Sequence, residues 1–370
     1  MFFKTLKKVT RNLLIGGNVA TILVMLLVGY SGHLDPEDYP MLANVSLVFP
    51  VFLILNIAFL FFWLVVYPKG AIVAIIGLLV NYVPVRTYCP LNLKNKKEPG
   101  CIKVMTYNVD VSMKTDTNAQ GELIYPALEY IAASGADIVC VQEAYMTKQK
   151  AHTLRNIYHY ADTTRNEKGG SCLTLFSKFP IVGKEHIHFD GSNSLNTSGA
   201  FFLKIQGDTV IVVNNHLESN RLTMEEREDF EQIAEGRKNH DQARSDVKML
   251  AGKLTEAAKI RSPQAKKVAK FIREHRRYPI IVCGDFNDNP LSFTRRVIAD
   301  EGLTDCFITT GNGPGWSFSH NRIYVRIDHI LCSEGIVPYE CQVDTKIDVS
   351  DHYPVSCWLK IRPKSQKINN

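Results

Sequence analysis

Residues 281–288 read IVCGDFND, a short apolar run that passes through Gly284 into alternating acidic and amide residues. An apolar run of this length that stops at a glycine is typical of a buried strand ending in a tight turn. Asp285, Asn287 and Asp288 follow at once, at the edge where a sheet would present them together. The segment therefore predicts a strand whose carboxyl end carries polar chemistry.

Five other segments combine an apolar run with acids, amides or imidazoles in the same way. They read MTYNVD, IVCVQE, VVNNHL, RIDHI and SDHYPV, and they begin at residues 105, 138, 212, 326 and 350. An Asn or Asp beside a strand is commonly a turn residue, so each segment alone has an ordinary structural explanation. Six such segments within one part of the chain favour a shared site.

The residue types in these segments point to metal-assisted hydrolysis. Carboxylate and amide oxygens are ligands that hard cations such as Mg²⁺ prefer, and imidazoles transfer protons near neutral pH. The sequence contains no GxSxG, Walker A or GxGxxG pattern, which disfavours serine hydrolases, P-loop NTPases and Rossmann enzymes. The combination predicts hydrolysis of a phosphate ester.

Residues 101–362 alternate β-rich runs with amphipathic helical stretches, which predicts an α/β fold with mixed strand directions. The predicted strands cover 102–108, 137–142, 171–176, 200–205, 209–215, 280–283, 327–332 and 354–361, and the predicted helices cover 121–133, 223–258, 263–275 and 291–299. A polar linker at 91–100 precedes this domain, and a polar tail at 363–370 follows it. Nine cysteines without a Cys-x-x-Cys pair predict mostly buried free thiols.

The first 90 residues have the composition of a membrane anchor. Apolar stretches predict about three transmembrane helices, at about 12–30, 43–66 and 70–86, although the third is short and interrupted by Asn81 and Pro84. Four Lys or Arg residues precede the first stretch, whereas the loop 31–40 has three acids and no Lys or Arg. This distribution predicts a multi-pass membrane protein with a cytoplasmic N-terminus.

Three spans would place residues 101–362 on the outer, periplasmic or extracellular, face. Arg86, Lys94, Lys96 and Lys97 oppose that orientation. If the third stretch only lies in the membrane interface, the domain would be cytoplasmic instead. The chain's formal charge of +6 belongs mostly to the anchor, because residues 1–100 contain nine Lys or Arg and four Asp or Glu. Net charge therefore gives no support to nucleic-acid binding by the nearly neutral domain.

Over about residues 101–362, these six segments resemble the endonuclease/exonuclease/phosphatase family, the metal-dependent phosphoesterases related to pancreatic-type deoxyribonuclease and apurinic endonucleases. The resemblance implies a four-layered α/β sandwich with two facing sheets and the site at one rim. It also implies a Mg²⁺ cofactor, with Mn²⁺ as an alternative. Glu143 would be the main metal ligand, supported by Asn108 and Asp351, and Asp110 matches an acid of the apurinic-endonuclease branch that would be an extra ligand.

The resemblance further implies the catalytic roles. His352 would face the scissile phosphate, with Asp328 holding the orientation of its ring. Asp285 would position or deprotonate the attacking water, while Asn287 and His216 would hold phosphate oxygens. The reaction would be one in-line attack by water without a covalent intermediate.

The substrate is open at this point. The leading hypothesis is a membrane-anchored hydrolase that cleaves a phosphodiester, with nucleic acid as one substrate. The alternatives are a phosphatase or phosphodiesterase for lipid headgroups or small phosphoesters, and a membrane sensor with an inactive domain. Arg326 is a further substrate-binding candidate, and Arg221 or Arg244 could reach an anionic substrate from the charged stretch 218–261. Besides substrate and lipid bilayer, the sequence implies no obligate protein partner.

Overall fold

The computed structural model describes residues 2–110, 113–118, 120–121, 123–166, 170, 172–189 and 196–362 of the 370-residue chain. The predicted polar tail 363–370 lies outside the described residues. The helices are α1 (Phe2–Gly29), α2 (Phe49–Val66), α3 (Ala71–Val80), α4 (Tyr82–Tyr88), α5 (Pro126–Ala133), α6 (Lys148–Arg155), α7 (Met224–Ala234), α8 (His240–Glu274), α9 (Phe293–Ala299) and α10 (Cys306–Thr310).

The strands are β1 (Ile102–Asn108), β2 (Asp116–Thr117), β3 (Leu123–Ile124), β4 (Ile138–Gln142), β5 (Tyr160–Arg165), β6 (Cys172–Ser177), β7 (Ile181–Ile187), β8 (Thr197–Ile205), β9 (Asp208–His216), β10 (Ile280–Asp285), β11 (Leu303–Asp305), β12 (Phe318–His320), β13 (Ile323–Val325), β14 (Asp328–Ser333), β15 (Ile336–Val343) and β16 (Val355–Ile361). Two six-stranded sheets have the orders β15-β16-β1-β4-β6-β5 and β11-β14-β10-β9-β8-β7. In both sheets parallel and antiparallel pairs are mixed, as predicted.

The two sheets pack face to face, and strand alternation decides which side chains meet between them. In β10, Ile281 and Cys283 belong to the apolar core between the sheets, whereas Ile280 and Val282 belong to the cluster on the outer face. Because side chains alternate along a strand, Asp285 has the same orientation as Ile281 and Cys283. The carboxylate at the end of β10 therefore lies at the rim of the cleft between the sheets.

Helices cover the outer faces of both sheets. Helices α5 and α6 pack on the first sheet, through a cluster that includes Leu128 and Leu154. Helices α8 and α9 pack on the second sheet, through a cluster that includes Val268 and Ile298. The order helix, sheet, sheet, helix makes a four-layered α/β sandwich, as the sequence predicts.

The predicted division of the charged helical stretch is wrong. The prediction placed one helix over 223–258 and another over 263–275, whereas the chain breaks between α7 and α8, and α8 continues through Pro263. The break follows from Gly236, whose φ is +67°, and from Asn239, whose side chain caps α8 by accepting from the backbone of Gln242. Around Pro263 the buried face of α8 packs on the sheet, and this packing outweighs the lost backbone donor.

The N-terminal segment contains two helical stretches long and apolar enough to cross a membrane, Phe2–His33 and Pro40–Val66. A third, Pro68–Val80 with Tyr82–Tyr88, is bent by 68° and would bring the number of spans to three if the pair is one span. A buried polar contact joins the first two helices, because the amide of Asn18 donates to Asn56 at 3.2 Å. Within the described chain all nine cysteines are free thiols, and seven are buried.

Gly284 occupies a position that no other residue fits. Its φ is +130°, and a Cβ there would lie 2.1 Å from the backbone oxygen of Asn215 on β9. We expect Gly284→Ala to lower the free energy of unfolding by about 3 kcal/mol or more, because a backbone clash cannot relax by rotating a side chain. Thermal unfolding in detergent measures the loss. Gly252→Ala, with no atom within 4 Å of its new Cβ, is the control; equal melting temperatures for the two variants would refute the expectation.

Candidate active site

The carboxyl ends of β1 and β10 meet at the rim of the cleft. The Asn108 amide nitrogen donates to Glu143 Oε1 and to Asp285 Oδ2, both at 3.1 Å. Asn108 and Asp285 are 2% and 1% exposed, whereas the Glu143 side chain is 30% exposed. One amide therefore joins a carboxylate of each sheet, and Glu143 is the more accessible of the two.

Two imidazoles approach the same carboxylate. His216 Nε2 lies 3.7 Å from Asp285 Oδ2 and 3.5 Å from Glu143 Oε1. His352 Nε2 lies 3.7 Å from the same Asp285 oxygen. On its other side, His352 Nδ1 is hydrogen-bonded to Asp328 Oδ2 at 2.8 Å. Asp328 thus orients the ring so that Nε2 faces Asp285.

Local electrostatics give these groups different protonation states. Burial would lower the pKa of His352, but the carboxylates of Asp328 and Asp285 raise it to about 10. Burial raises the pKa of Asp285 above its ordinary value, although His352 and His216 act against this rise. At neutral pH the His352 ring is therefore a protonated donor, and Asp285 is more basic than an ordinary aspartate.

Backbone strain occurs at three of the site residues. Asp110, Glu143 and Asn287 have φ values of +58°, +59° and +52°, in the left-handed region that non-glycine residues seldom adopt. Asn287 is held there by its backbone N–H, which donates to Asp285 Oδ1 at 2.8 Å, and by its amide, which donates to the Leu217 oxygen at 2.9 Å. Such conformations persist where the surroundings impose them, and they cluster at functional sites.

Asp351 lies at the mouth of the cleft and is paired with an arginine. Arg227 Nη1 of α7 is 3.0 Å from Asp351 Oδ2, and its guanidinium lies 5.3 Å from the centre of the Phe318 ring. Burial acts to raise the pKa of Asp351, but His352 and Arg227 lower it below the ordinary value. Asp351 is therefore ionised, and α7 contributes a cation at the mouth.

The residues at the rim fit a divalent cation. The Glu143 carboxylate, which accepts the Asn108 amide, and the ionised Asp351 offer oxygen ligands, and they adjoin a group in which ligand atoms of Asp285, Asp328 and His352 lie within 4.8 Å of one another. The buried Asp328 Oδ1 has no hydrogen-bond partner among the described residues. Several converging carboxylates repel one another, and oxygen-rich sites of this kind suit hard divalent ions.

Two serines that hold the site in place could not be identified from the sequence pattern. Ser317 Oγ accepts the backbone N–H groups of Ile327 and Asp328, at 3.0 and 2.9 Å. Ser350 Oγ donates to the Asn108 oxygen at 2.9 Å and accepts the His352 N–H at 3.2 Å. Each serine links a segment that contains a site residue to a neighbouring segment. This supporting role is visible only in the folded structure.

Three arginines that the sequence suggested as substrate-binding residues do not lie among the side chains of the site. The Arg326 guanidinium is buried and donates to the backbone oxygens of Thr87, at 2.6 Å, and Pro314. Arg221 is paired with Glu218 at 2.7 Å, and Arg244 is exposed on α8. The arginine at the site is Arg227, which the sequence analysis missed because α7 reads as an ordinary charged helix.

The chain is similar to known families in both of its parts. A model described as the endonuclease/exonuclease/phosphatase family matches residues 105–352. A domain of unknown function (DUF8431) matches residues 11–88. No curated protein matches the chain significantly.

Solved structures of the same architecture are also similar. The human nocturnin catalytic domain with bound sulfate has 18% identity and a TM-score of 0.50, covering 73% of this chain and 96% of that one. Humanized D. rerio TDP2 has 17% identity and a TM-score of 0.48, with 70% and 99% covered. The Bacteroides thetaiotaomicron mannosyl-6-phosphatase Bt3783 has 16% identity and a TM-score of 0.46, with 70% and 100% covered. At 18% identity, the similarity to the nocturnin domain is evidence for the fold alone.

Proposed function

The chain belongs to the endonuclease/exonuclease/phosphatase family of hydrolases acting on phosphate esters, and from that premise we propose a membrane-anchored, divalent-metal-dependent phosphoesterase that attacks phosphorus with water. The observation that carries the proposal is the convergence on Asp285, whose Oδ2 accepts the Asn108 amide and lies 3.7 Å from both His216 Nε2 and His352 Nε2. The proposed base Asp285, the proposed proton donor His352 and the proposed phosphate-binding His216 thus lie together at the rim.

Glu143, Asn108 and Asp351 would hold the cation, Mg²⁺ or Mn²⁺, with Asp110 as an extra ligand. When bound, such a cation neutralises phosphate charge and polarises the phosphorus–oxygen bonds. The accessible carboxylate of Glu143 and the ionised Asp351 support this assignment.

The chain's own groups account for the remaining chemistry. Asp285, made more basic by burial, takes the proton of the attacking water as its oxygen bonds to phosphorus. His352, protonated and oriented by Asp328, stabilises the phosphate and gives its proton to the leaving oxygen as the bond to phosphorus breaks. Asn287 and His216 hold the non-bridging oxygens. Catalysis comes from positioning and electrostatic stabilisation.

Removal of the metal tests the proposal. We expect the purified full-length chain to hydrolyse bis(p-nitrophenyl) phosphate with Mg²⁺ or Mn²⁺, and we expect a chelator to lower the rate by about 10³-fold, because metal stabilisation of charge contributes several kcal/mol. Added metal in excess should restore the rate. Activity that a chelator leaves unchanged, or no activity with either metal, would refute the proposed function.

We also propose that residues 1–90 span the membrane three times, with the linker 91–100 and the catalytic domain 101–362 on the outer face. Two contacts support an odd number of spans. The backbone oxygen of Gly32, after the first apolar helix, accepts from Arg296 at 2.7 Å, and that of Thr87, in the last turn of α4, accepts from Arg326 at 2.6 Å. With three spans, the loop after the first span and the domain after the third lie on the same side of the membrane. With two spans, the membrane would lie between Gly32 and the domain.

A reporter at the C-terminus tests this orientation. We expect a fused phosphatase that is active only outside the cytoplasm to be active, and a fused fluorescent protein that matures only inside to be dark. The acidic loop 31–40 and the basic N-terminus favour this outcome. An inactive phosphatase fusion together with a fluorescent protein fusion that matures would refute the three-span anchor.

A further inference from the structure

The loop between α1 and α2 lies directly against the chain that follows the catalytic strand β10. Asn289 donates its amide to Ser46 Oγ at 3.0 Å. A Cβ on Gly32 would lie 2.1 Å from the backbone oxygen of Leu291 and 2.9 Å from the carbonyl carbon of Ser292. The two backbones are therefore in contact, only a few residues from Asp285 and Asn287.

Leu291 marks the level of the membrane surface on the catalytic domain. Its side chain is 7% exposed and packs in one cluster with Met25, Val28, Phe49 and Leu53. Helix α1 ends at Gly29 and α2 begins at Phe49, so these residues lie in the terminal turns of the two apolar helices. If those helices span the bilayer, Leu291 reaches the edge of the hydrocarbon layer.

The distance from this level to the phosphate-binding groups is short. Asn287 is four residues from Leu291, and four residues of fully extended chain span at most about 14 Å. The headgroup region of one leaflet is about 5–8 Å thick. If Leu291 lies at the edge of the hydrocarbon layer, Asn287 is within about 14 Å of that edge, close to the layer in which lipid phosphates lie.

The domain is also held in this position at several points. Lys266 on α8 forms ion pairs with Asp35 and Glu37 of the loop, and Ser262 donates to Asp35 at 2.7 Å. On the other side of the anchor, the buried Arg326 donates to the oxygen of Thr87. Because both the loop after α1 and the last turn of α4 are bound to the domain, the domain is not held on a flexible tether alone.

Exposed aromatic side chains lie close in sequence to a residue that packs on the catalytic histidine. Trp316 and Tyr324 have ring centres 5.2 Å apart and are 42% and 51% exposed. Two residues beyond Trp316, Phe318 packs on the His352 ring at 5.1 Å. Exposed Trp and Tyr side chains are enriched at the membrane–water interface.

We propose that the substrate is a phosphoester in the headgroup of a lipid in the membrane that holds this chain. The proposal rests on the proposed function and adds the substrate class to it. A site fixed at headgroup height meets lipid phosphates at high local concentration. A long polyanion such as a nucleic acid binds mainly through basic residues, and a domain with nearly no net charge offers it little attraction.

The test uses the full-length chain in vesicles of phosphatidylethanolamine, phosphatidylglycerol, phosphatidylcholine, sphingomyelin and phosphatidylinositol phosphates, with Mg²⁺. Mass spectrometry follows the loss of each lipid in the enzyme's own vesicles and in separate, protein-free vesicles. Parallel arms contain water-soluble glycerophosphodiesters with the same headgroups, single-stranded DNA, and bis(p-nitrophenyl) phosphate. We expect at least one lipid in the enzyme's own vesicles to react about 10²-fold faster than the same lipid in separate vesicles, its soluble headgroup ester or DNA.

The arms separate the two proposals. Hydrolysis of bis(p-nitrophenyl) phosphate without hydrolysis of any lipid would overturn the lipid substrate and leave the proposed function standing. The lipid substrate would also be overturned if DNA, the soluble esters or lipid in separate vesicles reacted as fast as lipid in the vesicles that contain the enzyme. No hydrolysis in any arm would overturn the proposed function itself.

A variant at the contact between loop and domain gives an independent readout. Gly32→Ala forces the two backbones apart, whereas Gly16→Ala in α1 meets no atom within 4 Å. We expect Gly32→Ala to lower the ratio of lipid hydrolysis to bis(p-nitrophenyl) phosphate hydrolysis about tenfold, because small displacements cost large factors in rate. Gly16→Ala should leave the ratio unchanged. An unchanged ratio in Gly32→Ala would show that the contact does not set access to lipid.

Discussion

His352→Ala is expected to lower kcat for bis(p-nitrophenyl) phosphate by about 10³-fold, the range that loss of a positioned proton donor produces. The ring is buried, hydrogen-bonded to Asp328 at 2.8 Å, and its Nε2 faces Asp285. Its pKa of about 10 keeps it protonated at the pH of the assay. Removal takes away the group that stabilises the phosphate and protonates the leaving oxygen.

Two controls make the result specific. His240→Ala changes a histidine whose side chain is 87% exposed and should retain full activity. Asp328→Ala should also reduce kcat, but the double variant should be no slower than His352→Ala alone, because Asp328 acts through the ring. Additive losses in the double variant would contradict this coupling, and a His352→Ala enzyme with normal kcat would remove His352 from the reaction.

Glu143→Gln is expected to lower kcat by about 10³-fold and to raise the Mg²⁺ concentration needed for half-maximal rate. The amide keeps the shape of the side chain, so the strained backbone at φ +59° and the contact with Asn108 are preserved. What the change removes is the negative charge of the most accessible carboxylate at the rim. A titration of rate against Mg²⁺ measures both effects.

Glu129→Gln on the exposed face of α5 is the matched control, with the same chemical change on a helix of the outer layer. It should leave both parameters unchanged. A Glu143→Gln enzyme with the rate and metal dependence of the unmodified chain would exclude Glu143 as a ligand.

Those features that depend on strand periodicity could be predicted from the sequence. The eight predicted strands are present within a few residues, because their apolar residues are buried on both faces or on the inner face. The inner orientation of Asn108, His216, Asp285 and Asp328 follows from the same alternation. The alternation therefore predicts that these residues, far apart in the chain, lie at one rim of the cleft, where the structure has them.

Edge strands gave no comparable signal. Strand β7 is exposed along most of its length and contains Lys184 and Glu185, so no apolar alternation marks it. Strand β5 has the same character. These strands form through backbone pairing with β8 and β6, which a local pattern does not encode.

Long-range side-chain partners were equally hidden. Arg326 was predicted to bind substrate, yet its guanidinium donates to the backbone oxygen of Thr87 near the end of the anchor. Arg227 looked like one charge among many on α7, yet it pairs with Asp351 at 3.0 Å. Both assignments depend on packing between segments more than 100 residues apart, where sequence patterns carry no information about geometry.

The most direct test of the account is the fate of oxygen from water during one turnover. The full-length chain with Mg²⁺ hydrolyses bis(p-nitrophenyl) phosphate in ¹⁸O-enriched water, and mass spectrometry reads both products. We expect one ¹⁸O atom in p-nitrophenyl phosphate and none in p-nitrophenol, with labelled product forming about 10³-fold more slowly when a chelator is present. Label in the phenol, or labelled product formed at an undiminished rate in the presence of the chelator, would contradict metal-dependent attack of water on phosphorus.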